Sequence, residues 1–372
     1  MNHKFKLSYA VFVVLFCVIA VFAMSTESAL EAQVPDLLVS SRTTNSVLRF
    51  NGLTGKFIGK FVDSGSGGLF GPKGLAFGPD GNLYVSSQSN NRVMRYNGQT
   101  GDFIDEFVTV VSGGLSGPSG LVFGPDGNLY VSSNFSDRVM RYKGNTGNFM
   151  GQFVTGGSGG LFGPDGLVFG ADGNLYVSSR NNNQVLRYDG QTGTFIDKFV
   201  MPGSGGLGLP EGLFFGPDDN LYVSSNSNDR IFRYDGQTGD FIDEFVSKGK
   251  GGLDGPSGLI FGPDGNLYVS SFSNNRVLRY KGKSGNLLDQ FVSTGSGGLN
   301  GPTYLTFFPS NTRGISGCLE YNGFPLQGIK VFLKQSGEPR QTTTTDANGW
   351  YRFENVVTGK TFKVIIKGSK LQ

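Results

Sequence analysis

The decapeptide GPDGNLYVSS, Gly124 to Ser133, decides how the chain is read, because its surroundings return at a fixed interval. Tyr84, Tyr130, Tyr176, Tyr222 and Tyr268 stand 46 residues apart. One more step back reaches Leu38 in DLLVSS, the same segment without its GPDGN turn, which makes six copies. Within a copy, four short segments alternate or are rich in β-branched and aromatic residues: GLVF (120–123), NLYVSS (128–133), RVMRY (138–142) and NFMGQFV (148–154). Such lengths suit strands and not helices. The connectors GPDGN and KGNTG or NGQTG carry Pro for a fixed φ and Asp-Gly or Thr-Gly for a reversal. Four antiparallel strands per 46 residues is the length of one propeller blade.

The copies are out of phase with the ends of the chain. The first begins at a second strand (37–41) and lacks a first; the last has only a first strand, GPTYLTFF (301–308). Together they complete one blade, and a sheet shared between the two ends clasps a ring shut and removes open edges. The sequence therefore predicts an all-β fold: a six-bladed β-propeller with one composite blade over 33–310, then a small β-sandwich over 311–372. Phe77, Phe123, Phe169, Phe215, Phe261 and Phe307 recur at one first-strand position and are expected to fill the gaps between blades.

Residues 1–32 differ in kind. His3, Lys4 and Lys6 precede an apolar run from Tyr9 to Met24, a secretory-signal pattern too short to span a bilayer comfortably. A released, periplasmic or cell-surface protein is expected, with no membrane span after cleavage. The formal charge of +3 and dispersed basic residues exclude a nucleic-acid partner, which needs clustered Lys and Arg. After cleavage Cys318 is alone, so no intramolecular disulfide is expected, and the single histidine, His3, is lost with the signal. Histidine-dependent catalysis and histidine-ligated zinc are thereby excluded from the mature chain.

LVFGPDGNLYVSS, SNNRVMRY and DFIDEFV resemble the units of the NHL family of six-bladed propellers, over roughly 36–310. Where NHL units often carry acidic residues, after the first strand and after the Tyr-Val strand, this chain has Gly and Ser. That resemblance implies the fold; the family's activities are diverse.

In a repeat array the invariant positions hold the architecture, so function is sought where one copy differs from its siblings. After the Pro at the start of each inner strand stand Lys73, Ser119, Asp165, Glu211, Ser257 and Thr303, at the expected mouth of the channel. The PDG and PEG around Asp165 and Glu211 are similar to the gluconolactonase and senescence-marker propellers. That resemblance implies a divalent metal at this position, and the oxygen ligands of Asp165 and Glu211 suit Ca²⁺ or another divalent cation. The alternative is a solvated rim with Lys73 balancing the charge and no cofactor. A second divergent set follows each Ser-Ser pair: Arg42, Gln88, Asn134, Arg180, Asn226 and Phe272. It is expected to ring the same mouth, with Phe272 as an exposed aromatic beside two arginines, a combination suited to sugars or small anions. The Gly-rich connectors lack the Lys-Ser/Thr ending of a phosphate loop.

After Pro309 the period stops. SGCLEYNGFPLQGIKVFL and TTTDANGWYRFENV resemble the carboxypeptidase-regulatory-like and collagen-adhesin B-type modules, over roughly 315–370, with five strands expected. In that resemblance Lys330 and Glu354 are the positions to consider for a Lys–Asn cross-link, for which the strand carrying the Asn is missing; Trp350 is expected in the module's core. The leading expectation is a monomeric, non-catalytic binding or scaffold propeller for a carbohydrate, a matrix polymer or a protein. Its rivals are a metal-dependent hydrolase or lactonase using Asp165 and Glu211, and an accessory or tailoring protein. The last rests on resemblance to the exported NHL propellers that accompany the scytonemin pathway.

Overall fold

In a computed structural model, residues 34–308 are described except 111. In the C-terminal part, residues 312–321, 324–335, 337, 340–346, 350–357 and 362–366 are described. The expected export signal lies outside the described residues, as do the side chains of Trp350 and Glu354. The chain divides into Val34–Pro309 and a unit containing Ser310–Gln372.

Six four-stranded antiparallel sheets make up the first unit. Blade 1 is the composite: its inner strand, Pro302–Phe307, pairs with Leu37–Ser41, followed by Ser46–Phe50 and Phe57–Val62. Blades 2 to 6 occupy 72–108, 118–154, 164–200, 210–246 and 256–292, each in simple up-and-down order. Every inner strand packs on the next, and Pro302–Phe307 packs on Pro72–Phe77, which closes the ring.

The decapeptide shows why the repeat is architecture. Gly124 N–H donates to the Asn128 carbonyl at 2.9 Å, and the Asp126 carboxylate accepts from Asn128 (2.7 Å) and from the Tyr130 hydroxyl (3.0 Å). Gly127 takes φ +73°, as the reversal demands; in blade 5, Asp219 sits at φ +60° in its place. Beyond the turn, alternation sends Leu129 and Val131 into the core between blades 2 and 3, and Tyr130 into the core between blades 3 and 4. Tyr130 is held there edge-on between Phe153 (4.7 Å) and Phe169 of the next blade (5.1 Å). Each such pair contributes about 0.5–1.5 kcal/mol beyond area burial. The six first-strand phenylalanines stand against these cores, as expected.

The Ser-Ser pair stitches the ring. In blades 2 to 6 the first hydroxyl donates to the backbone of the next inner strand, as Ser132 does to the Asp165 carbonyl at 2.6 Å and Ser178 to that of Glu211 at 2.8 Å. The second, as in Ser133, accepts from the connector N–H of Ser116 at 2.8 Å. Channel-lining backbones are thus fixed at the places where the divergent side chains begin.

The C-terminal unit pairs Thr312–Cys318 with Trp350–Val357, and orders Gln341–Thr344, Lys330–Gln335 and Phe362–Ile366 in a second sheet. Two further short strands, Glu320–Tyr321 and Phe324–Pro325, form a hairpin, so the described residues of this unit hold seven strands where five were expected. Leu319, Val331, Leu333, Tyr351 and Phe353 form its core. Lys330 is exposed.

Candidate functional site at the channel mouth

Each connector enters its inner strand through a Pro whose neighbour points into the channel end of the ring. At five of the six copies a Gly follows, and a Cβ there would come within about 3 Å of the next inner strand's backbone, as at Gly120, 2.4 Å from the Asp165 carbonyl oxygen. The sixth copy places Tyr304 at this position. Its side chain reaches from blade 1 to the opposite blade 4, where the hydroxyl donates to Asp165 Oδ1 at 2.8 Å.

Asp165 is the hub. It is 1% exposed and receives Lys73 Nζ from blade 2 on Oδ2 at 2.7 Å and the Ser119 hydroxyl from blade 3 on Oδ1 at 2.8 Å. Four blades therefore meet at one carboxylate. Glu211 is engaged separately, by Arg180 Nε at 3.1 Å and the Ser257 hydroxyl at 2.6 Å. Burial, with the Asp165 and Glu211 charges behind it, pushes the Tyr304 phenol well above the usual tyrosine value. Tyr304 accordingly keeps its proton and remains a donor across ordinary pH.

The remaining expected positions divide. Arg42 reaches Gln88 Oε1 at 3.0 Å, which bridges blades 1 and 2, and Thr303 donates to the Pro72 carbonyl at 3.1 Å. Asn134 and Asn226 donate to the carbonyls of Pro164 (2.9 Å) and Pro256 (3.2 Å) and serve as blade-to-blade ties. Phe272 is only partly exposed, with its ring against Gly301. Among the described residues no group of three or more His, Cys, Asp and Glu side chains is placed to hold a metal ion. The donors already on Asp165 and Glu211 occupy all four of their carboxylate oxygens.

Three features were missed in the sequence. Tyr304 was hidden by its position in the incomplete last copy, although PTY in place of PxG was the signal. Leu209 replaces the connector glycine before Pro210 and Glu211, and holds φ +46°. The exposed aromatics of this face are Phe70 (53%), Phe135 (70%) and Phe162 (51%), from blades 2, 3 and 4. Phe135 lies over Gly117 of its own connector, and Gly163, next to Phe162, donates to Asp137 of the Phe135 hairpin at 2.7 Å. The three rings thus belong to consecutive, mutually bonded loops beside the mouth.

Comparison with known proteins bears on both fold and family. A nidogen/laminin complex structure aligns with TM-score 0.58 at 18% identity, over 73% of this chain and 98% of that one. A gluconolactonase from Xanthomonas campestris aligns with TM-score 0.53 at 17% identity, over 77% and 93%. A catalytically inactive histidine-to-alanine form of virginiamycin B lyase from Staphylococcus aureus, with quinupristin, gives 0.50 at 15% identity, over 89% and 98%. At these identities the likeness is one of fold. No curated protein matches the sequence significantly. The family model described as Virginiamycin B lyase family matches residues 66–292.

Proposed function

The chain belongs to the virginiamycin B lyase family, and from that membership we propose that it is an exported, non-catalytic member whose channel-mouth face binds a carbohydrate chain. One observation carries the reading: the two carboxylates at the mouth are paired inside the protein, while three phenylalanines of the same face are exposed. Asp165 is spent on Lys73 and Glu211 on Arg180, so neither stands as an available base or metal ligand. The inactive Staphylococcus aureus lyase has lost a histidine; residues 34–372 of this chain contain none. Phe70, Phe135 and Phe162 offer flat apolar surface to sugar rings, with Arg42, Arg180 and Asn226 supplying polar contacts at the rim.

A glycan array read with the full chain and with Phe70→Ala/Phe135→Ala/Phe162→Ala tests this. Binding to a defined glycan that the triple variant loses supports the reading; an array without signal for the wild type refutes it. The metal-dependent hydrolase is the second reading, motivated by the two inner-strand carboxylates. Metal that co-purifies with the wild type and not with Asp165→Ala/Glu211→Ala would favour it over binding alone.

A further inference from the structure

Repeat symmetry exposes a second site, in blade 1. In blade 2, Arg92 lies in a slot between its hairpin, the preceding connector and the outer strand, and pairs with Glu106 at 2.7 Å. Arg230 does the same with Glu244 at 3.2 Å. In blade 6, Arg276 donates to the connector carbonyl of Gly252 at 2.5 Å, and in blade 4 Gln184 donates to that of Gly160 at 3.3 Å. In four blades an amide helps: Asn90, Asn182, Asn228 and Asn274 each donate to the same connector carbonyl.

Blade 1 breaks every part of this arrangement. Its slot residue is Ser46, its amide position is Thr44, and the outer-strand acid is Lys60. The hydroxyls of Thr44 and Ser46 bond one another at 2.9 Å, and Thr44 turns to Ser41, so the carbonyl of Gly298 lacks the donors its counterparts have. What remains is a cavity of 430 Å³, lined by Thr43, Thr44, Ser46, Lys60, Ser64 and the Gly297–Gly298 backbone, with Leu48 and Asn45 completing the wall. Its volume falls within the roughly 300–1,000 Å³ of small-molecule sites.

The chemistry of the lining is specific. The slot that holds an arginine in four of the other blades has only Ser46 here and faces a cation, since Lys60 forms no ion pair with any described residue. A guanidinium or ammonium ligand is repelled. The exposed Gly298 carbonyl can accept from a ligand hydroxyl, the Thr and Ser hydroxyls exchange hydrogen bonds with either kind of partner, and the exposed Lys60 ammonium can pair with an anion. We propose that the blade 1 cavity binds one sugar-acid residue, a uronate, with its hydroxyls toward Gly298, Thr43 and Ser64 and its carboxylate on Lys60.

Calorimetric titration of the full chain with D-galacturonate, and with D-galactose as the uncharged control, tests the site. Saturable binding of galacturonate, tighter than galactose, is expected. Ser46→Gln reproduces the Gln184–Lys198 combination of blade 4, fills the slot and gives Gly298 its donor. It is expected to weaken galacturonate by tenfold or more while the melting temperature holds or rises. Lys60→Gln should bring galacturonate down about fivefold, to the level of galactose, as expected for loss of an exposed ion pair. The Phe70/Phe135/Phe162 alanine variant should bind galacturonate as the wild type does, which separates this site from the channel-mouth reading. No saturable galacturonate binding in the wild type, or a Ser46→Gln variant that binds unchanged, overturns the proposal.

Discussion

Removing the Asp165 carboxylate should cost more stability than any change at the rim. The group is 1% exposed, and the Lys73 side chain that pairs with it is 10% exposed. Asp165→Ala strands that ammonium in a desolvated site, a class of change that costs about 3–5 kcal/mol. It also strips the Ser119 and Tyr304 hydroxyls of their acceptor. We expect a loss of about 4 kcal/mol for Asp165→Ala. Asp165→Asn, which still accepts from Ser119 and Tyr304, should lose about 3 kcal/mol. In a double-mutant cycle with Lys73→Met, the coupling should reach at least about 2 kcal/mol, because each partner's loss is chiefly the other's desolvation. Urea unfolding followed by tyrosine near-ultraviolet dichroism reports chiefly on the propeller, since eleven of the fourteen tyrosines lie within 34–309. A cost below about 1 kcal/mol for Asp165→Ala would mean that Lys73 reaches water freely, and the buried network would have to be abandoned.

Three further outcomes follow from the repeat. Leu209→Gly restores the residue its five siblings carry, so relief of left-handed strain, about 1–2 kcal/mol, should outweigh the added entropy of the unfolded chain and raise stability by about 0.5–1 kcal/mol in the same urea assay. Gln152→Glu gives Arg138 the partner that Glu106 gives Arg92. The gain should be about 0.5 kcal/mol at low salt and vanish in concentrated salt, whereas a salt-independent gain would refute the ion-pair account. Burial pushes Tyr84, Tyr130, Tyr176, Tyr222 and Tyr268 up to about 12. Because these folded values exceed the unfolded value near 10, the stabilisation is complete below about pH 10 and is lost as pH rises toward 12. Tyrosinate absorbance should therefore appear together with unfolding; a smooth titration centred near pH 10 would contradict the packing.

The blade was legible because its determinants are local. Turn residues fix the hairpins, alternation assigns each second-strand side chain to one of two cores, and the phase of the copies reveals the composite blade before any coordinates exist. The mouth was legible only as a set of positions. The sequence offers Lys73 as a balancing charge at the rim, but nothing in a separation of 92 residues says that its ammonium reaches the Asp165 carboxylate. Tyr304 needed the same closure. Phe272 and Phe135 exchanged roles as well: Phe272 is partly covered, while Phe135, one position later in its own hairpin, is 70% exposed. The blade 1 slot was invisible because a cavity is an absence, and Ser46 declares itself only when the arginines around it have been placed.

The shared blade also imposes a timetable on synthesis. Leu37–Ser41 leaves the ribosome with one edge satisfied by Ser46–Phe50, but its other partner, Pro302–Phe307, follows about 260 residues later. At about 5–20 residues per second, that edge stays bare for on the order of 15 to 50 s. Five complete blades can form in this interval, each stacking on the last, while the opening strand waits for the chain to come round. The newborn protein is thus an open crescent with a sticky end, and whatever shields that strand until closure is as much a requirement of this fold as the strand that finally covers it.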